Sequence, residues 1–387
     1  SQTLMAQRLQ DELLEEIFLR LPTAADLARA STACVSFRRV VAAHPFLRRF
    51  RTLHPPPLLG IICGGFTPAQ PPHPSAAAAA TLADVNLSCA ILLPPSRDRW
   101  CRRDDRDGRA LYSPEREGPG VDYNRPGLVR AFAVCDPLHR RYLLLPALPD
   151  HLAGQVRPPD ISKCESFLAP PGDDENSSFR DFRVMCLVWC TTKLVLFVFS
   201  SCTGQWLPDP VTFDVLPHSG ALRRHYAHGC FCWHNYEADN LLVLDTRRME
   251  FSVVDLPLPP CPHLGYLAAC LREMAIVEAG EGRLGMFTVS EPGVYYLLYE
   301  EQSKDENGAN QWQSKSVISL PANYSYGIDG VAGGYLLLHG SRKHTQVVDY
   351  FSLNLQTFQI ERFCQTDCQI VGTLYAGLPP SLCPPTI

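Results

Sequence analysis

The chain has 387 residues, a formal net charge of −5 and 46% apolar residues. Its length is compatible with one large β domain beside a small one, and its acidic balance argues against a general affinity for nucleic acid. The 34 prolines exceed the usual share. They predict many loops, because proline is poorly tolerated inside helices and central strands.

The 16 cysteines are scattered along the chain and show no compact, even-numbered framework. The first residues lack a charged region followed by an apolar one, as a secretory signal would have. The apolar run at 194–199 is too short to span a bilayer. We therefore expect reduced thiols in a cytoplasmic or nuclear protein without a membrane partner, many of them buried as small apolar side chains.

The stretch LQDELLEEIFLRLP (9–22) predicts an amphipathic helix that ends at its proline, because its apolar residues recur at spacings of three and four. Thr23 then predicts the N-cap of a second helix. A third helix is predicted over 34–43, and a short last turn over 46–50. So small a module buries only a modest fraction of its surface, so either the rest of the chain or a partner protein covers the apolar stripe.

Residues 9–50 closely resemble an F-box. The shared pattern is an acidic stretch with apolar pairs, then Leu-Pro, Leu-x-x-Ala, a Cys-x-x-aromatic segment and Phe-Leu. Gln10 and Phe37 stand where the family often has proline and tryptophan. The resemblance implies that this module binds a Skp-type adaptor, which links F-box proteins to the cullin scaffold of a ubiquitin ligase. The residues it implies at the adaptor are Leu9, Leu13, Leu14, Ile17, Leu21, Pro22 and Leu27.

Five arginines lie close together at the end of the helical module. Because the whole chain is acidic, we interpret them as a solvated face and not as a nucleic-acid surface. They are Arg38, Arg39, Arg48, Arg49 and Arg51.

The body of the chain repeats a strand–turn–strand unit. The units lie at 100–113, 132–146, 196–210, 241–259, 294–321 and 348–363. Their separations of roughly 35 to 65 residues match the size of a propeller blade when loops vary. We therefore predict a mostly β protein with a three-helix module at 1–53, a proline-rich linker at 54–57 and a β-propeller-like domain at 58–387. A β-sandwich or a barrel is the alternative, and 67–80 is predicted as an exposed loop.

Three phrases of the body are similar to the F-box-associated, propeller-like domains of plant F-box proteins. They are VCDPLHRRYLLLPALP, VFSSCTGQW, and YAHGCFCW followed by LLVLDTRRMEFSVVDLP. Residues suited to their turns are Asp136, Gly204 and Asp245. Aromatic residues expected in the blade core are Trp206, Trp233 and Phe251.

Two motifs point to possible chemistry. The sequence GEGRLG at 280–285 fits a Gly-x-Gly-x-x-Gly fingerprint, but strand-like sequence follows it where a dinucleotide loop needs a helix, so we predict a hairpin. Cys230, Cys232 and His234 would share one face of a strand, and Cys261 and His263 could add metal ligands. Because Cys-x-Cys is not the usual zinc spacing, buried thiols are the preferred interpretation, and neither a metal nor a cofactor is predicted.

These features together predict a non-catalytic, substrate-recognition subunit of a Skp–cullin–F-box ubiquitin ligase. The β domain would bind the protein to be ubiquitinated, through residues that the sequence does not identify. Two alternatives stay open. One is an interaction protein with a vestigial F-box, and the other is a propeller-based enzyme or metal-binding protein.

Overall fold

The computed structural model of the protein describes most of the chain. The described residues are 2–22, 24–54, 56–96, 98–115, 127–171, 181–214, 223–235, 240–256, 274–280, 283–290, 293–300, 311–342, 345–377 and 387. They form a helical N-terminal module followed by a mostly β body.

The N-terminal module contains four helices instead of the three predicted. They are α1 (Gln2–Leu19), α2 (Ala24–Ala33), α3 (Val35–Val41) and α4 (His44–Leu53). The segment predicted as a short last turn is the ten-residue helix α4. The pair His44-Pro45 begins this helix because proline lacks only an N–H group that the first helical turn does not use.

The four helices enclose an apolar core of their own. Its buried members are Phe18, Leu19, Leu27, Val40, Val41, Phe46, Leu47 and Phe50. Phe18 packs edge-to-face on both Phe37 and Phe46, with ring centroids 5.1 and 6.4 Å apart. The module therefore buries its central aromatic residues within itself, and the linker after it leads into the β body.

Two of the clustered arginines pair with acidic residues of α1. Arg39 donates to both carboxylate oxygens of Asp11, at 2.7 and 2.9 Å. Arg49 donates to Glu16 at 2.6 Å and to Glu15 at 3.5 Å. These pairs are partly exposed, so each contributes little to stability. They connect α3 and α4 to α1, and for Arg39 and Arg49 they support the interpretation of a solvated face.

The body forms six β-sheets within the described residues. Blade 1 begins with β1 (Leu58–Cys63) and β2 (Gly65–Pro68). Blade 2 consists of β3 (Arg99–Arg106), β4 (Arg109–Glu115), β5 (Ala133–Asp136) and β6 (Arg141–Leu144). Blade 3 consists of β7 (Ile161–Ala169), β8 (Arg183–Cys190), β9 (Leu194–Ser200), β10 (Gln205–Trp206) and β11 (Val211–Phe213).

Blades 4 to 6 have four strands each. Blade 4 consists of β12 (Arg224–Ala227), β13 (Cys230–Asn235), β14 (Asn240–Asp245) and β15 (Glu250–Asp255). Blade 5 consists of β16 (Met274–Glu278), β17 (Leu284–Ser290), β18 (Gly293–Glu300) and β19 (Gln311–Ser319). Blade 6 consists of β20 (Ser325–Ala332), β21 (Tyr335–Ser341), β22 (Val348–Asn354) and β23 (Ile360–Thr366). The last strand, β24 (Thr373–Ala376), returns to blade 1. Two short helices, α5 (Ala76–Ala80) and α6 (Asp150–Ala153), lie in connections.

The sheets are arranged as a six-bladed β-propeller, which confirms the propeller prediction over the sandwich and the barrel. Each blade is an antiparallel meander, and the inner strands β3, β7, β12, β16, β20 and β24 surround the centre. The middle strands β8 and β9 are almost continuously apolar because neighbouring blades cover both of their faces. Strand β24 pairs with β1, so both ends of the body build blade 1 and close the ring.

Successive blades repeat the same meander around the ring, so their inner strands run in the same direction. The end of the ring where these strands begin also carries the connections between blades and the turns from second to third strands. We call this end the top face. It includes the turn between β1 and β2, the start of β3 and the end of β4.

The predicted exposed loop at 67–80 is correct only in part, because several of its residues are exposed but the segment also contains regular structure and buried side chains. Within it, β2 ends at Pro68, α5 forms, and the side chains of His73 and Ala79 are buried. The Nδ1 atom of His73 accepts a hydrogen bond from the Ser75 N–H at 3.1 Å, so Nε2 donates to Ser352 Oγ at 2.9 Å. Burial lowers the pKa of His73 to about 4 and keeps the ring neutral. Because this segment has a low-complexity composition, its sequence did not indicate these contacts with blade 6.

The predicted turn and core residues of the blades are confirmed. Gly204 has a positive φ angle of 69°, which glycine adopts readily, and Asp136 Oδ1 accepts a hydrogen bond from the His139 N–H at 3.1 Å. Asp245 Oδ1 accepts hydrogen bonds from the N–H groups of Arg247 and Arg248. The aromatic residues expected in the core are all buried: Trp206, Trp233 and Phe251.

Candidate functional site

Helix α1 keeps large apolar side chains on its surface. Leu13 and Ile17 are 59% and 58% exposed, and residues four apart lie on the same side of a helix. Pro22 is also exposed, whereas Leu14 and Leu21 are half-buried against the core of the module. The side chain of Leu9 lies outside the described residues. Helix α1 thus carries apolar side chains beyond those that pack in the core of the module.

Leu27 occupies a different position from the other residues implied by the F-box resemblance. Its side chain is fully buried in the core of the helical module. A partner could reach it only if the module opened, so we leave Leu27 out of the docking surface. Apolar spacing in the sequence marks a residue as facing inward or toward a partner without distinguishing the two.

Helix α3 contributes one more exposed apolar residue. Val35, at its first position, is 83% exposed. Phe37, by contrast, is half-buried and packs on Phe18 within the module. The aromatic residue that stands where the F-box family often has tryptophan therefore supports the core in this chain.

A cluster of three charged side chains links the inner strands of blades 2, 3 and 4. Arg224 on β12 donates to Asp104 on β3 and to Glu165 on β7, each at 2.5 Å. Trp233 Nε1 donates to the second oxygen of Glu165 at 3.2 Å. Burial raises the pKa of Asp104, while Arg224 and Arg106 act in the opposite direction. The carboxylates are thus engaged by protein donors, and the cluster holds three blades together.

The candidate metal ligands do not form a metal site among the residues that the structure describes. Cys232 and His234 are buried on β13 beside the half-buried Cys230, as the alternation predicted. Burial raises the pKa of Cys232 to about 12, so its thiol keeps the proton that a metal would displace. No group of three or more potential ligands is found in the described part of the chain. Cys261 and His263 lie outside that part.

The strands on either side of the glycine-rich motif at 280–285 pair as in the predicted hairpin, and residues 281 and 282 themselves lie outside the described residues. Glu278 at the end of β16 pairs with Leu284 at the start of β17. A strand therefore follows the glycines, and the helix N-terminus that would hold a pyrophosphate does not occur at this position.

No helix within the described ranges is long and apolar enough to cross a membrane. The described cysteines are all free thiols. Both findings concern only the residues described above.

No family model matches the chain, and no curated protein matches it. The solved structures that it resembles include a protein from Lactobacillus plantarum, with 12% identity over 67% of each chain and a TM-score of 0.33. A second is a post-proline cleaving enzyme from Rickettsia typhi, with 8% identity over 71% of this chain and 37% of the other chain, and a TM-score of 0.33. A third is an oligogalacturonate lyase in complex with manganese, with 10% identity over 67% of this chain and 63% of the other chain, and a TM-score of 0.34. The matched region spans less than two thirds of the length of the last two structures. Similarity at this level assigns no function.

Proposed function

We propose that the protein is a substrate-recognition subunit of a Skp–cullin–F-box ubiquitin ligase. The observation that carries this proposal is the exposure of Leu13 and Ile17 on one side of α1, in a module that already has its own core. Removing each large apolar side chain from water is worth roughly 1.5–3 kcal/mol. Association entropy offsets part of that gain, so the docking surface includes the exposed Pro22 and Val35 as further contacts.

The proposed mechanism is positional. The helical module binds a Skp-type adaptor and, through it, a cullin scaffold, while the propeller binds a protein substrate. Holding the substrate near a conjugating enzyme raises the effective concentration of its lysines, so the chain itself needs no catalytic residue and no cofactor. A closed six-bladed ring suits this role, because a rigid scaffold keeps the substrate at a defined place.

The test is co-expression of the full chain with a Skp-type adaptor, followed by size-exclusion chromatography. We expect a stoichiometric complex with the natural chain and its loss in the Leu13→Asp, Ile17→Asp double variant. The matched control is Ile91→Asp with Val371→Asp, because these side chains are apolar and 80% and 83% exposed but belong to the propeller.

Circular dichroism of the double variant must show natural helix content, so that lost binding reflects the surface. Retained binding by that folded variant would show that α1 is not the docking surface. No complex with the natural chain would contradict the ligase proposal and would favour an interaction protein that works without an adaptor.

A further inference from the structure

The outermost strand of blade 2 has an exposed apolar edge. Strand β6 pairs with β5 alone among the described residues, so its other edge faces away from the ring. Three consecutive large side chains of this strand are exposed: Tyr142 and Leu143 at 43%, and Leu144 at 46%. Successive side chains of a strand point to opposite faces, so both faces of this edge carry apolar surface.

The outer strands of blades 4 to 6 are less apolar along their edges. Among the side chains that the structure describes, β15 exposes Val253 and β19 exposes Val317 as single large apolar residues, and β23 exposes none. Proteins usually protect open strand edges with charges or with short strands, because an apolar edge pairs readily with another chain. The continuous run on β6 therefore indicates a contact surface.

Backbone hydrogen-bonding groups are also available along this edge. The Leu145 N–H donates to the Phe132 carbonyl at 3.0 Å, which makes these two residues a hydrogen-bonded pair of the antiparallel ladder. Such pairs alternate with pairs that do not bond, so Leu143 also bonds to β5, whereas Tyr142 and Leu144 direct their N–H and C=O groups outward. An extended peptide can pair with these outward groups as a fifth strand of the blade.

Two exposed arginines begin the edge. Arg140 and Arg141 lie at the end of β6 opposite the top face, and neither pairs with an acidic side chain in the described part of the chain. Asp136, the register partner of Arg141, is buried and accepts hydrogen bonds from His139. Arg141 Nη1 reaches the Ile387 carbonyl oxygen at 3.5 Å, so an acceptor oxygen can lie at this end of the strand. The charge of the edge is complementary to a carboxylate.

We propose that β6 binds an extended segment of a substrate protein, which adds to blade 2 as a fifth strand and carries carboxylates next to apolar side chains. The apolar side chains pack on Tyr142, Leu143 and Leu144, and a carboxylate pairs with Arg140 or Arg141. A second copy of the chain is a poorer match, because β6 itself has no acidic residue to place beside the arginines. The proposal names the substrate class of the receptor function given above and rests on it.

The test is fluorescence anisotropy of the full chain with a fluorescein-labelled, capped peptide, Ser-Asp-Val-Tyr-Val-Asp-Ser. Its acidic residues at both ends allow either strand direction, and valine and tyrosine favour an extended backbone. The comparison peptide has lysine in place of both aspartates. We expect the acidic peptide to bind at least about tenfold more tightly than the basic one, because only its charges complement the arginines.

Two variants separate charge recognition from strand addition. Arg140→Glu with Arg141→Glu should reverse the preference between the two peptides. Leu144→Pro removes an outward N–H group and no hydrogen bond to β5, so it should weaken binding of the acidic peptide by about three- to tenfold. Leu144→Val is the matched control, because it keeps that N–H group and should change binding by less than about twofold.

A third variant tests the apolar surface. Leu143→Asp places a carboxylate on the edge and should abolish binding of the acidic peptide. Its matched control is Val317→Asp, because that side chain is 52% exposed on the outer strand of blade 5 and should leave binding unchanged. Circular dichroism of each variant must match that of the natural chain, so that lost binding reflects the edge.

Failure of the acidic peptide to bind the natural chain at about 1 mM would overturn the proposal, as would equal binding of the two peptides. Full binding by folded Leu144→Pro would overturn strand addition. Sedimentation velocity tests the other occupant, because a dimer that Leu143→Asp dissociates would show that the edge binds a second copy instead. Adaptor binding is measured on the same variants and should be unchanged, so lost peptide binding with intact adaptor binding separates failure of the edge from failure of the ligase proposal.

Discussion

At the scale of the single residue, Arg224 joins two largely buried carboxylates from different blades. Its partners Asp104 and Glu165 are 14% and 16% exposed, about as little as Arg224 itself. A pair of buried charges gains little over an apolar replacement, but a buried charge left without its partner is strongly destabilising. The cluster therefore makes the natural chain dependent on one arginine for the packing of blades 2, 3 and 4.

We expect Arg224→Met to lower the free energy of unfolding by about 3–5 kcal/mol at pH 7. Arg224 lowers the pKa of Asp104, so its loss should raise that already raised pKa further. A carboxyl group whose pKa is higher in the folded state than in the unfolded state makes the protein less stable as the pH rises. The deficit should therefore be smaller at pH 5 than at pH 7. Urea unfolding at both pH values measures it.

Lys163→Met is the control for this experiment. Lys163 lies 3.3 Å from Glu165 but is 42% exposed, so its loss should cost less than about 1 kcal/mol. A deficit of Arg224→Met that is small, or equal at the two pH values, would contradict a buried and interdependent cluster.

Residue roles set by local sequence were predictable, and those set by distant partners were not. Asp245 and Trp233 follow from turn chemistry and from the apolar character of aromatic rings, and both are found where the sequence placed them. Arg224 bonds to partners 59 and 120 positions away, and no spacing rule connects residues at such separations.

At the scale of elements, α1 has two apolar sides with different surroundings. Phe18 faces inward and packs on Phe46, while Leu13 and Ile17 face solvent. Apolar periodicity predicted the helix but could not show which of its apolar residues the module itself covers. The helix also begins at Gln2 and not at residue 9. The apolar periodicity used for the prediction was recognised only from residue 9 onward, so it missed the first turns.

We expect Phe46→Ala to destabilise the helical module by about 3–5 kcal/mol, because it leaves a cavity in a fully buried core. Leu13→Ala should change stability by less than about 0.5 kcal/mol, because its side chain is largely exposed. Helix-specific circular dichroism during urea unfolding compares the two. Equal costs would mean that Leu13 belongs to the core and is not available to a partner.

At the scale of the whole molecule, the propeller depends on closure between its two ends. Strand β24 pairs with β1, so residues near 60 and near 374 form one blade. Gly372 lies at this junction, where an added Cβ would be 2.3 Å from the Ile62 carbonyl oxygen. The repeated hairpins made a propeller predictable, but closure was not, since it joins strands at opposite ends of the body.

We expect Gly372→Ala to lower the free energy of unfolding of the body by about 1–3 kcal/mol, because the backbone of β1 must move to admit the methyl group. Gly127→Ala, which adds a methyl group in open space, should be neutral or slightly stabilising. Differential scanning calorimetry of the two variants measures the difference. Closely similar transitions would show that the closure tolerates displacement of β1.

The proposed function requires that the exposed side of α1 docks on an adaptor while the propeller stays free for a substrate. Hydrogen–deuterium exchange of the full chain, with and without a Skp-type adaptor, tests it most directly. We expect slower exchange in the helices of residues 10–53 and unchanged exchange in the blades. Unchanged exchange throughout the helical module at saturating adaptor, or protection confined to the propeller, would contradict it.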